Sequence, residues 1–213
     1  MESVQSASIS LTLDHVTRRF GTRSVFSDVC ANVQQGQTLI VTGPNGSGKS
    51  TLLKIIAGLL PPSSGEVGVL FCGRRLDPAQ SRRMMGYVAP DLSLYAELSG
   101  VENLRFYAHL RGLTLSRAEL AALLERVGLK GRGRDLVGNY SSGMRQRLKY
   151  AFALLHRPLI LLLDEPTANL DAQGVSIVRQ IVEEQRAAGM TILATNETHE
   201  LEWGDSLVRL HRA

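Results

Sequence analysis

Cysteine is scarce in this chain: Cys30 and Cys72 are the only two among 213 residues. They lie far apart in apolar, strand-like contexts, so neither a disulfide framework nor a zinc-ligand spacing follows. That excludes a disulfide-stapled secreted fold and suits a reducing compartment. Aromatics make up 5% of the residues. The basic residues come in short pairs, Arg18-Arg19, Arg74-Arg75 and Arg82-Arg83, without interleaved aromatics. Such pairs read as solvated surface. Long apolar runs are missing too. A run such as Leu159–Leu163 is far short of the roughly 20 residues that a bilayer span requires. The start, Met1 to Ser10, is polar and lacks a basic-then-apolar leader pattern. If the protein works at a membrane, another chain must supply the spanning helices.

What remains is an ordinary globular composition, 44% hydrophobic and 21% charged. The length allows one domain, or one domain with a subdomain. A net charge of +4 and a pI of about 9.3 suit a nucleotide, an anionic lipid or a nucleic acid, and decide among none of them.

One stretch is far more specific. Gly43-Pro44-Asn45-Gly46-Ser47-Gly48-Lys49-Ser50-Thr51 fits the pattern G-x-x-x-x-G-K-[ST]. An apolar strand, Leu39-Ile40-Val41, precedes it, and a helical pattern, Thr51 to Ala57, follows. Strand, glycine turn and helix start make a phosphate cradle. Gly46 and Gly48 let the backbone curl and turn its N–H groups inward. The helix from about Lys49 adds its positive dipole end. Lys49 is expected to reach the β- and γ-phosphates, and the Ser50 hydroxyl to ligate Mg²⁺.

Around this loop the chain alternates strands and helices. Ile9, Leu11 and Leu13 alternate with polar residues, which predicts a half-buried strand. Phe20, before Gly21 at a turn, reads as core or edge packing, with stacking on a nucleobase as the alternative. Strands are expected at 27–33, 66–71 and 84–88. From about Asp91 the pattern turns helical. The capping boxes Ser99-to-Glu102 and Ser116-to-Glu119 open helices at 101–110 and 117–127. A further helix is expected over 145–156. Leu159–Leu163 is a strand buried on both faces, as in a parallel sheet. A helix over 173–188 and strands at 191–195 and 206–210 complete an α/β layered fold. The helical block 91–157 interrupts the alternation.

The apolar strand ends in Asp164-Glu165. Asp164 can hold the Mg²⁺ shell that Ser50 ligates. Glu165 can polarise a water for in-line attack on a γ-phosphate.

With these residues in view, the chain resembles the nucleotide-binding subunit of an ABC transporter almost end to end. Residues 43–51 match the family's Walker A, and Leu161 to Thr167 its Walker B with the catalytic Glu. Ala168-Asn169-Leu170-Asp171 resembles the D-loop. Tyr140-Ser141-Ser142-Gly143-Met144 resembles the signature motif, keeping its first Ser and last Gly. The resemblance implies a P-loop NTPase (RecA-like) core over 1–90 and 158–213. It also implies an inserted α-helical signature subdomain at about 91–157 and an N-terminal antiparallel β region. It makes Phe20 the adenine-stacking aromatic and adds ATP and Mg²⁺. Two such domains would form a head-to-tail dimer, with Ser141, Ser142 and Gly143 meeting the nucleotide of the opposite subunit.

Two positions depart from the family pattern. Where a Gln is usual after a strand such as Gly86-Tyr87-Val88, Ala89-Pro90-Asp91 stands instead, and Asp91 is the candidate oxygen ligand. Where the switch histidine is expected, the residue is Asn196, with His199 read as surface. Asn can hydrogen-bond a phosphate but cannot carry positive charge or move a proton.

The resemblance implies an ATP hydrolase on the cytoplasmic face of the cell membrane. Its implied partners are a transmembrane permease and a second ATP-binding subunit, with no nucleic acid. Residues 91–102, with Tyr95 and Leu98 as apolar anchors, are the expected docking surface for the permease; the alternative is that both side chains belong to the core of the helical block. The stretch Val101 to Ala108 resembles the haem-exporter ATPases of cytochrome c maturation, and also the wider drug, lipid and polysaccharide exporters; the cytochrome c maturation group is the favoured reading, with haem export as the expected function. The alternatives are a soluble ABC-type ATPase acting on DNA or ribosomes, and a weakly catalytic regulatory subunit.

Overall fold

The first strand alternates as its sequence does. In β1 (Ile9–Phe20) the side chains of Ile9, Leu11, Leu13 and Val16 are buried while Asp14 and His15 are exposed. The computed structural model describes residues 8–211. Most of the start read above for a leader pattern, residues 1–7, lies outside the described residues.

An antiparallel sheet has the order β2-β1-β4-β5, with β2 at Arg23–Gln34, β4 at Ser64–Phe71 and β5 at Arg74–Arg75. The pairing of β1 with β2 slips at three places, between Leu13 and Val16, between Val16 and Arg18, and between Arg18 and Arg19. Each slip is a β-bulge, which bends and twists the ribbon.

The second sheet has the order β6-β7-β8-β3-β9: Met85–Val88, Ile160–Asp164, Met190–Thr195, Thr38–Thr42 and Ser206–Arg209. β3 pairs in parallel with β8 and β9, and β7 in parallel with β8. Every residue of β7 and β8 is buried, as expected of parallel strands covered on both faces. Parallel pairing puts the carboxyl ends of β3, β7 and β8 on one edge, where open α/β sheets bind their ligands.

The helices are α1 (Lys49–Ile56), α2 (Pro78–Arg83), α3 (Gly100–Leu110), α4 (Arg117–Arg126), α5 (Ser142–Leu154), α6 (Ala172–Ala188) and α7 (Thr198–Leu201). Both expected capping boxes form, Ser99 with Glu102 and Ser116 with Glu119. α5 starts earlier than expected because the Ser141 side chain caps it, accepting the Met144 N–H. α2 has a capping box of its own, Asp77 with Gln80, but is too short for a periodicity to announce it.

The chain divides into two compact units. One comprises Met1–Tyr87, Leu159–Glu165 and Val182–Ala213, and the other Val88–Pro158 and Pro166–Ile181. The first holds both sheets up to Tyr87, and its buried apolar side chains run from Ile9 and Leu11 through Leu52 and Leu53 to Leu162 and Ile192. No described helix is long and apolar enough to cross a membrane.

Candidate functional site

In the first unit the loop after β3 is built on glycine. Gly43, Gly46 and Gly48 have φ of 150°, 81° and 97°. A Cβ on Gly43 would stand 2.3 Å from the Leu210 carbonyl oxygen. One on Gly48 would stand 2.5 Å from Val25 Cγ1 and 2.8 Å from Phe26 Cδ1. Only glycine fits at both places, and β2 closes on the loop from outside. Ser47 is buried, and its Oγ has no protein partner among the described residues.

Lys49 follows at the first turn of α1 and is 6% exposed. Its ammonium donates to the Gly43 carbonyl at 2.7 Å and to the Pro44 carbonyl at 3.4 Å. Burial lowers its pKa, and the charges of Glu165 and Asp164 oppose that shift. The cation thus folds back on its own loop, held by weak acceptors that an anionic phosphate can outcompete.

The neighbouring strand ends complete the cluster. Ser50 Oγ donates to Asp164 Oδ1 at 3.0 Å. Asp164 is 2% exposed, so a hard oxygen pair stands at the mouth of β7. Glu165 is exposed, with its backbone in the left-handed region at φ 49°. Its N–H donates to the Ala194 carbonyl at 2.9 Å. A non-glycine residue in that region costs of order 1–3 kcal/mol, and such strain clusters at functional sites. Beyond β8, Asn196 Nδ2 donates to Asn45 Oδ1 at 2.6 Å. Asn45 is therefore tied to the strand end, a link that no sequence spacing could reveal. The glycine cradle, the lysine and the Ser50–Asp164 oxygens fit a nucleoside triphosphate with a divalent cation.

Phe20 is 51% exposed and is not a core residue. Its ring carries the Arg18 guanidinium 4.3 Å from the centroid. A half-open aromatic face is what stacking on a base requires. His199 is exposed and packs edge-on against Trp203 with centroids 5.9 Å apart, in keeping with its surface reading.

The second unit holds the remaining candidates. Tyr140 is buried, its hydroxyl donating to the Arg132 carbonyl at 2.7 Å. Ser141 and Ser142 are exposed at the N-terminus of α5, and Gly143 is half-buried. A Cβ on Gly143 would stand 3.3 Å from the Asn169 carbonyl oxygen, so the signature-like segment abuts the D-loop-like one. Asn169 has φ 62°, and Asp171 Oδ1 accepts the Gly174 N–H at 2.7 Å to start α6. Tyr150 on α5 donates to the Pro166 carbonyl at 2.7 Å, which holds the segment that follows Glu165. Asp91 is exposed. Its charge acts on the Lys149 ammonium, which itself donates to the carbonyls of Pro90 at 2.7 Å and Ala89 at 3.2 Å.

A glycine loop and lysine at one parallel strand's mouth, with an acid at the mouth of another, define a P-loop nucleotide-binding fold. The ABC transporter family model matches residues 26–168, more than half of the chain, and the chain belongs to that family. It is 32% identical over 194 residues to the linearmycin resistance ATP-binding protein LnrL of Bacillus subtilis (strain 168). That match covers 89% of this chain and 62% of LnrL, so the chain spans about three fifths of that relative's length. It is 35% identical over 198 residues to the glutamate/aspartate import ATP-binding protein GltL of Escherichia coli (strain K12), covering 90% of this chain and 81% of GltL. Among solved structures, the ATP-binding cassette MJ0796, dimeric in a post-hydrolysis state with ADP and Pi, superposes with a TM-score of 0.80. The identity there is 25%, over 94% of each chain.

Proposed function

We propose that this chain is the ATP-binding and ATP-hydrolysing subunit of a membrane transporter, acting as a dimer on the cytoplasmic face of the membrane. The observation that carries the reading is the cluster of Lys49, Ser50, Asp164, Glu165 and Asn196 at the carboxyl ends of three parallel strands. Lys49 leaves the Gly43 and Pro44 carbonyls to neutralise the β- and γ-phosphates, and the loop N–H groups hold them in line. Ser50 and Asp164 would hold Mg²⁺, whose charge offsets that of the phosphates. Glu165 accepts the proton of the attacking water. Asn196 donates to the γ-phosphate. Ser141, Ser142 and Gly143 of a second subunit face the same nucleotide; the similar cassette MJ0796 is itself a dimer bound to ADP and Pi. Asp91 is the weakest member of the set, because Lys149 already supplies it with a protein cation.

The cargo divides the finer readings. Haem export for cytochrome c maturation rests on the stretch 101–108 alone. The named relatives are a linearmycin resistance protein and an amino-acid importer, which favour the wider small-molecule transporters over haem. Titration of a fluorescent ATP analogue into wild type and Lys49→Ala tests the common ground. Loss of binding in the variant is expected, and equal affinity with equal turnover refutes the site.

A further inference from the structure

Two of the three bulges in the β1–β2 ribbon bring three chemically distinct side chains together. Between the pairs Leu13↔Ala31 and Val16↔Val29, two residues, Asp14 and His15, stand against the single residue Cys30. Between Val16↔Val29 and Arg18↔Phe26, Ser27 and Asp28 stand against Thr17. His15 and Asp28 are the residues that absorb these insertions, with φ of 49° and 60°. His15 Nδ1 lies 2.5 Å from Asp28 Oδ1, and the His15 N–H donates to Cys30 Sγ at 3.4 Å. One donor atom each from His15, Asp28 and Cys30 lies within 4.8 Å of the other two, at the exposed surface. Among the described residues no other trio of His, Cys, Asp and Glu does this.

We propose that His15, Asp28 and Cys30 form a binding site for a divalent transition-metal ion of the zinc class. Thiolate, imidazole and carboxylate are the zinc donor types, and three protein ligands leave a fourth place for water. Metal bonds of about 2.0–2.3 Å put tetrahedral ligands roughly 3.3–3.8 Å apart, so the His15–Asp28 pair opens by about 1 Å around the ion. Cys30 already lies within reach. Asp14 Oδ1 stands 3.8 Å from His15 Nε2, on the side away from the metal-facing nitrogen. A small rotation lets it accept the Nε2–H, the outer partner that orients a metal-bound imidazole. A soft sulfur and a nitrogen beside one carboxylate disfavour Mg²⁺ and Ca²⁺, which take oxygen. The ion would clip the two bulges to each other. The sequence hides this site because its ligands have no metal-binding spacing; the register of two antiparallel strands assembles it.

The test uses the tag-free full chain, stripped with chelator and kept reduced. Zn²⁺ is titrated against a competing chromophoric chelator, and Co²⁺ serves as a spectroscopic probe. The wild type is expected to bind one Zn²⁺ per chain and to show a thiolate-to-cobalt absorption band. Cys30→Ser should lose the band and weaken Zn²⁺ binding by roughly 10-fold or more, since even the loss of an outer partner of a metal ligand costs about that much. His15→Asn and Asp28→Asn should weaken it too. Asn tolerates the left-handed backbone at both positions, so the fold, checked by circular dichroism, is expected to survive. Cys72→Ser should leave the band intact. No binding by the wild type, equal binding by Cys30→Ser, or a cobalt spectrum without the thiolate band would each overturn the site and leave a surface His15–Asp28 ion pair.

Discussion

Asn196 Nδ2 donates to Asn45 Oδ1 at 2.6 Å, so the end of β8 is fastened to the phosphate loop. The bond joins two neutral amides. A histidine in this place could hold the same Asn45 oxygen and also carry a proton. The link between β8 and the phosphate loop thus carries no titratable group.

Asn196→His is accordingly expected to raise the ATPase rate, by about 10-fold or more if proton handling limits turnover. Steady-state phosphate release checks it. A flat rate in this variant, with activity abolished by His199→Ala, would place the switch residue at 199 instead.

Glu165→Gln should bind ATP normally and hydrolyse it roughly 10²–10⁴-fold more slowly, the usual worth of a positioned general base. Gln keeps the shape and the backbone strain of Glu165, so folding should be unaffected. An ATP-trapped dimer is expected on size exclusion. Wild-type turnover from a monomeric variant would reduce Glu165 to a structural role.

The phosphate loop and the acid pair were legible in the sequence because each is local: glycines, lysine and acids sit at fixed spacing beside apolar strands. The all-apolar run at 159–163 likewise announced a strand covered on both faces. Legibility ended where chain-distant residues meet. Asn45 finds Asn196 only through the parallel pairing of β3 with β8, and Tyr150 finds Pro166 only through the packing of α5. α5 starts before the expected residue 145 because Ser141 and Ser142 read as loop in the sequence, whereas the folded chain uses the Ser141 side chain as a cap. Phe20 is ambiguous on its own, since an isolated aromatic usually packs; the family resemblance favours stacking, and its exposure argues against a core role.

Arg186 and Asp205 brace the start of β3. Arg186 Nη1 donates to Asp205 Oδ2 at 2.6 Å and to the Gly36 carbonyl at 2.9 Å, while the same carboxylate oxygen accepts the Thr38 N–H at 2.7 Å. Burial pushes the Asp205 carboxyl up, but the Thr38 N–H and Arg186 outweigh it and hold it below the ordinary carboxylate range. A depressed folded pKa stabilises the fold above the unfolded value, near 3.9, and that stability is lost as pH falls through the folded value. Asp205→Asn should cost about 1 kcal/mol at pH 7, discounted for a side chain 40% exposed. The gap to wild type should narrow below about pH 4. Urea midpoints at pH 7 and pH 3 check this, and a gap that stays constant would remove Asp205 from the acid response.

The last prediction concerns the surface expected to meet a membrane partner. In the second unit buried Asn103 pins the loop before α3, accepting the Tyr95 N–H and donating to the Tyr95 carbonyl, both at 2.9 Å. The loop so held presents Tyr95 with 47% of its surface open. The Tyr95 ring lies edge-on to Phe106 at 5.2 Å, and Phe106 is itself 39% exposed. Leu98 is half-buried, and its carbonyl accepts the Val137 N–H at 2.9 Å. Tyr95 is therefore the better anchor, because a rigid, exposed aromatic carries interface energy at little entropic cost. Leu98→Asp would disturb the unit itself. Tyr95→Asp is expected to abolish co-elution with an integral membrane subunit when the protein is extracted from its own membranes in mild detergent. ATP binding should be unchanged. Phe106→Asp should act in the same direction. Co-elution that survives both substitutions would move the docking surface elsewhere. Recovery with ribosomes or DNA, and with no membrane protein, would overturn the transporter reading.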